Sequence, residues 1–356
     1  MAGFVGVILF YVISGFLLYR PFVAARARAA RLPRAASYAR RRVLRIVPGF
    51  WAVLTMLAIF PGVAGVFTGD WWRYYGYLQL YSQKTQTLGI PVAWSLCVEV
   101  SFYLALPLWA LAARRLPSRP GVHGLVRVEL LPLAVIALGG VVVQLAASRQ
   151  LVGHLVGASL AGACTWFAIG MALAVVSAAA HEDGSLAPLF RRLGARSDLC
   201  WGIAALAFLA LLPLQPKGGL FGLIAAVRAP QSGWVALGTI VLEGIFVTCL
   251  VLPAIFGDGR QGLPRRLLAS APMAFLGVVS YSFYLWHLTV AEFIAWRSSP
   301  GAFSATGLNL LGHVHTARTL VLYVVTLAAT GLLATASYRL IELPFLRRKE
   351  SAPVRG

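Results

Sequence analysis

Apolar runs of about 17 to 25 residues dominate this chain, and that length decides its solvent. A helix rises about 1.5 Å per residue, so such a run crosses a hydrocarbon layer of about 30 Å. Nine runs are found, at 3–19, 46–68, 94–112, 129–147, 158–180, 200–214, 234–256, 272–296 and 319–338, the sixth being the shortest. With 59% of residues hydrophobic and 12% charged, there is too little polar surface to cover a water-soluble globule. The expected fold is all-α, a polytopic membrane bundle of about nine transmembrane helices forming one domain over 1–346, followed by a short basic tail at 347–356.

The charges are lopsided, 31 Lys and Arg against 11 Asp and Glu, for a formal net charge of +20. In a soluble protein this would raise nucleic acid binding. Here the basic residues fall between apolar runs without the interleaved aromatic platforms that single-strand binders use, so no nucleic acid partner is expected. They sort by membrane side instead. If the segment after the first run is cytoplasmic, alternate segments hold 24 of the 31 basic residues, nine of them arginines between Arg20 and Arg45. This places the C-terminus in the cytoplasm and the N-terminus outside. It also leaves the aromatic-rich segments 70–93 and 297–318 outside, as re-entrant pieces or the rim of a pocket.

Ionisable groups inside a span cost a few kcal/mol, so each is a candidate for function. Glu99 lies five residues into its run, about 8 Å deep at the helical rise. Ser95, Glu99 and Phe102 share one helix face, so Ser95 can reach the carboxyl. The alternative is a protonated Glu holding two helices together. His287 sits near the middle of the eighth run on a face with Ser280 and Tyr284, where a hydroxyl beside an imidazole suits proton transfer. A buried structural histidine is the competing reading. Glu243 and Glu292 read as structural, and Glu342 as the i, i+3 partner of Arg339. Arg42 and Arg45, also at i, i+3, serve either as a topology signal or as bidentate ligands for a phosphorylated cytoplasmic molecule. Cys97, Cys164, Cys200 and Cys249 lie inside apolar runs without metal-ligand spacing, and no metal site is expected.

Together these strings resemble one family. Phe10-Tyr11-Val12-Ile13-Ser14-Gly15-Phe16-Leu17 is similar to F-F-x-x-S-G-F-L of the acyltransferase-3 family, the O-antigen acetylase type. The stretch from Arg42 to Pro48 resembles R-x-x-R-I-x-P, and that from Trp94 to Tyr103 resembles W-S-L-x-x-E-x-x-F-Y. Ser280 to His287 is similar to S-Y-S-x-Y-L-x-H, and Ser337 to Pro344 to S-x-x-x-I-E-x-P.

The resemblance implies transfer of an acyl group, usually acetyl from acetyl-CoA, to a sugar hydroxyl of a polysaccharide, glycolipid or glycosylated metabolite. It implies no tightly bound cofactor, with acyl-CoA as donor substrate. It gives Arg42 and Arg45 a place near that donor and makes Glu99 and His287 the catalytic candidates. Trp94, Ser95, Ser280 and Tyr284 become pocket residues. In one respect the chain departs from the pattern: the family's R-x10-H motif, whose His is the leading candidate base, has no counterpart here. The expectation is therefore a ten-helix core lacking its first helix. The rival readings are a transporter or flippase, expected to show paired broken helices in two repeats, and an inactive remnant of the acyltransferase.

Overall fold

A computed structural model describes residues 3–115, 122–182, 196–214, 232–256, 262–298 and 316–350, with single positions at 188, 192 and 195. All regular structure among them is helical and no strand occurs. Among the described residues nine helices are long and apolar enough to cross a membrane, the number expected from the apolar runs.

The described residues divide into two compact units, cut within helix α4 (Trp94–Arg114) after Val100 and within helix α11 (Ala271–Ser298) after Met273. The first unit contains α1 (Gly3–Ala27), the greater part of α4, α5 (Val122–Ser148), the short α6 (His154–Ala158) and α7 (Leu160–Glu182). It also contains α8 (Ser197–Leu211), α9 (Gly233–Phe256) and the short α10 (Leu263–Leu268).

Helix α7 packs between α1 and α5, and small residues set how closely. A Cβ on Gly15 would strike the carbonyl oxygen of Phe167, and one on Gly170 would strike that of Val12, so the α1 and α7 backbones touch through two glycines. Beside them Tyr11 stacks on Phe167 at 4.7 Å between centroids, and Phe102 at 4.0 Å. The Ser14-Gly15 element of the first motif is thus a helix-packing device. Between α5 and α7 the Thr165 hydroxyl donates to the Ala137 carbonyl at 2.9 Å and the Gln144 amide to that of Gly162 at 2.6 Å. On the opposite face of α5, Leu131, Val135, Leu138 and Val142 are each more than 60% exposed. An apolar stripe left uncovered on a helix of this length is a lipid-facing surface.

The second unit holds α2 (Ala35–Ile59), the connection from 60 to 93 with short α3 (Trp71–Tyr75), the start of α4, the rest of α11, α12 (Thr316–Ser337) and α13 (Leu343–Glu350). Helix α2 begins eleven residues before the apolar run expected at 46–68 and ends nine before that run's end. The Arg40–Arg42 cluster and Arg45 therefore ride on the helix itself, and Phe60-Pro61-Gly62 closes it. The apolar residues Val63 to Phe67 belong to the connection. They raise local hydropathy without continuing the helix.

That connection is a built structure. Tyr74, Gln79, Thr85 and Ile90 are almost wholly buried. The Gln79 amide donates to the carbonyls of Leu88 and Ile90, the Thr85 hydroxyl to that of Gln79, and Gly89 N–H to Ala64. A π-helical turn, Tyr338–Glu342, joins α12 to α13, so the last helix continues through Pro344 instead of stopping there.

Candidate functional site

The motif residues of the second unit converge from four elements. Along α2, Tyr38, Arg42, Ile46, Gly49 and Phe50 follow helical spacing on one face, with Tyr38, Ile46, Gly49 and Phe50 buried and Arg42 half-buried. Arg45 is exposed. From α11, the Tyr281 hydroxyl donates to the Ile46 carbonyl at 2.7 Å, pinning the two helices where the R-x-x-R-I-x-P element passes. Gly49 makes this fit possible. A Cβ there would lie 3.1 Å from the Tyr281 ring and 3.2 Å from Cγ of Glu342.

Glu342 is 4% exposed and its carboxylate accepts a hydrogen bond from Ser282 of α11. The expected pair with Arg339 does not form, and Arg339 is exposed. The π turn is the reason: it is wider than an α-helix, so residues three apart no longer share a face. The cation that acts on Glu342 is Arg45. Ser280 lies on the exposed side of α11, its hydroxyl donating to the Gly277 carbonyl of its own helix, whereas Ser282 is fully buried. Sequence reading selected Ser280 and passed over Ser282, since both serines stand in the same motif and only the packing tells them apart.

Tyr284, midway along α11, ties that helix to the start of α4. Its hydroxyl lies 2.6 Å from the Val92 carbonyl and 2.6 Å from the Ser95 hydroxyl. A carbonyl only accepts, so Tyr284 donates to Val92 and Ser95 donates to Tyr284. Trp94 is half-buried directly after the 3₁₀ turn Pro91–Ala93. One helical turn beyond Ser95, Glu99 is 1% exposed. Its charge reaches the phenols of Tyr38, Tyr77 and Tyr284, and that of Arg42 reaches Tyr38 as well. Arg42 and Glu99, distant in sequence, thus act on one hydroxyl.

Tyr77 comes from the connection and was not anticipated. Its ring stacks on Phe50 at 4.6 Å, and burial pushes its phenol well above the ordinary value, with Cys97 and Glu99 pushing the same way. It therefore keeps its proton at neutral pH. His287 lies one turn past Tyr284, with its Nδ1 2.7 Å from the Tyr284 carbonyl. Because that oxygen can only accept, Nδ1 carries the proton and Nε2 keeps a lone pair. Among the described residues, no three or more His, Cys, Asp or Glu gather as a metal site would require.

The first unit holds charges that the sequence reading overlooked. Glu129 of α5 is fully buried, accepting from the Tyr19 hydroxyl at 2.5 Å and pairing with Arg26. Arg28 pairs with Glu182 at 2.6 Å. Two of the nine arginines between Arg20 and Arg45 therefore have an acidic partner in the first unit, Arg26 in a buried pair and Arg28 in an exposed one.

Fold and site together define a multi-pass helical membrane protein with a buried carboxyl set among phenols and guanidinium groups. The chain belongs to the acyltransferase-3 family: the family model described as an acyltransferase domain matches residues 1–339. It is similar to the O-acetyltransferase OatA of Staphylococcus aureus, at 23% identity over 368 aligned positions in strains NCTC 8325 / PS 47 and COL. The match covers 98% of this chain and 53% of each relative, so the chain spans about half the length of the curated relatives it matches. No solved structure matches.

Proposed function

We propose that this protein is a membrane O-acyltransferase that moves an acyl group, acetyl foremost, from acyl-CoA to a hydroxyl of a carbohydrate. The observation that carries the proposal is the Ser95–Tyr284 hydrogen bond, which joins two motif helices one turn from the buried Glu99, within the unit that also holds Arg42, Arg45 and His287. Family membership supports the reaction class, and the name of the OatA relatives supports an acetyl group and an oxygen acceptor.

In this reading the guanidinium groups of Arg42 and Arg45 hold the donor's phosphates, for which their planar fork suits bidentate binding. Trp94, Ser95 and Tyr284 border the acceptor. Glu99 takes or relays the proton of the attacking hydroxyl, and the Nε2 lone pair of His287 is the second candidate base. The hydroxyl oxygen bonds to the thioester carbon, the tetrahedral intermediate collapses, the C–S bond breaks, and the proton leaves with the CoA thiolate. No covalent acyl-enzyme is needed. In this reading the C-terminus and the donor lie on the cytoplasmic side of the cell membrane, which the excess of basic residues in alternate segments supports.

The test is transfer of labelled acetyl from acetyl-CoA to glycan in membranes carrying the protein. Glu99→Gln is expected to lower the rate by about 10²–10⁴-fold, and Arg45→Ala to raise KM for acetyl-CoA. Unchanged kinetics in both variants would refute the assignment.

A further inference from the structure

Tyr77 combines three features that a mere packing residue does not need. Its backbone is left-handed, with φ of 58°, a conformation costly for a bulky side chain. The residue is 6% exposed, and its hydroxyl has no hydrogen-bond partner among the described residues. A buried unpaired hydroxyl is itself destabilising. The ring is nevertheless held in place by the Phe50 stack, within electrostatic reach of Glu99. The backbone behind it is fixed too. The neighbouring connection meets the Cys97 thiol through the backbone of Gln79 and Leu80, and Gln79 anchors it further.

Resting on the acyl-transfer reading above, we infer that Tyr77 is a further catalytic residue, donating a hydrogen bond to the thioester oxygen as it becomes an oxyanion. As the acceptor oxygen bonds to the carbonyl carbon, the C=O electron pair moves onto oxygen and the Tyr77 O–H receives it. When the intermediate collapses, C=O re-forms, the C–S bond breaks and the hydrogen bond relaxes. Tyr77 keeps its proton throughout, while the proton lost by the acceptor passes by way of the base to the thiolate. A burial-raised phenol suits this role, because it stays a donor where a base would have to ionise. A pre-oriented donor with no partner in the resting protein has no hydrogen bond to break before it acts, which is how electrostatic preorganisation lowers a barrier.

The experiment compares Tyr77→Phe with the unaltered protein in membranes, with labelled acetyl-CoA varied, and measures the melting temperature of each purified in detergent. Phe keeps the stack on Phe50 and removes only the unpaired hydroxyl. The maximal rate should fall about 10²-fold or more, KM for acetyl-CoA should stay within about twofold, and the melting temperature should hold or rise. Phe50→Leu, which keeps the hydroxyl but loosens its hold, should lower the maximal rate by a smaller factor. An unchanged rate in Tyr77→Phe overturns the inference and leaves the acyl-transfer reading standing. So does a lowered melting temperature or a failure to accumulate, since either marks Tyr77 as structural. If the unaltered protein transfers no acetyl at all, the acyl-transfer reading falls and takes the inference with it.

Discussion

Replacing Arg26 with Met tests how the first unit tolerates charge inside an apolar bundle. Arg26 is 11% exposed and Glu129 is not exposed at all, so both charges have left water and rely on each other and on Tyr19. At an effective dielectric of about 20, two charges about 4 Å apart attract by about 4 kcal/mol. Their desolvation offsets much of that, so the intact pair contributes little net stability. Removing one partner is another matter, costing about 3–5 kcal/mol because an uncompensated charge stays buried. Arg26→Met should therefore destabilise by about 3–5 kcal/mol. Tyr19→Phe, which removes one hydrogen bond to a charged group, should cost about 1.5–3 kcal/mol. The informative variant is Arg26→Met with Glu129→Leu. Putting apolar groups of similar size in both places should bring stability back to within about 1 kcal/mol of the parent, giving a coupling of several kcal/mol. Chemical unfolding of the purified protein in mixed micelles, followed by circular dichroism, measures all four corners of the cycle. If the double variant loses the sum of its parts, with coupling under about 1 kcal/mol, the pair is not the buried unit described here.

Two adjacent glycines of α5 should behave oppositely. Gly139→Ala meets nothing within 4 Å and should stabilise by about 0.5–1 kcal/mol through helix propensity, while Gly140→Ala, whose Cβ would collide with Thr165 and Cys164, should cost about 1–3 kcal/mol. Thermal unfolding in detergent separates them by sign. Two serines of α11 give a similar contrast: Ser282→Ala removes a buried donor from Glu342 and should cost about 1–3 kcal/mol, whereas Ser280→Ala, on the exposed side, should stay within about 0.5 kcal/mol. Equal effects at 280 and 282 would contradict the packing of Glu342.

What the sequence could and could not reveal follows from the range of each signal. A membrane span is a local property of about twenty consecutive residues, so the nine among the described residues were legible from apolar runs. Helix α2 was displaced furthest, because hydropathy weighs Val63 to Phe67 as membrane and Arg40 to Arg45 as loop, while helix geometry weighs neither. The motif strings carried the resemblance to the family, and they also named the elements that converge in the second unit. Pairing between helices has no such local signature. Glu129 and Arg26 lie 103 residues apart, and neither the acid nor the base is unusual in its own stretch. Glu342 was assigned the wrong neighbour because an i, i+3 rule assumes α-helical phase, and a π turn cannot be read from composition.

The connection from 60 to 93 is the strongest case of long-range information. By composition it is a loop of Trp, Tyr, Gly and Ser between two spans, yet it supplies Tyr77 and fixes the entry to α4 through Val92 and Tyr284. Its order rests on single contacts spread across the unit: Gln79 to the carbonyls of Leu88 and Ile90, Cys97 to the Gln79 backbone, and Phe50 to the Tyr77 ring. No periodic pattern records contacts of that kind. A short motif places Glu99 on its helix by spacing alone, but the chemistry available to that carboxyl depends on which side chains the connection delivers. The left-handed backbone at Tyr77 fits that division of labour, because strain at one residue is tolerable only where many surrounding contacts over-determine the chain.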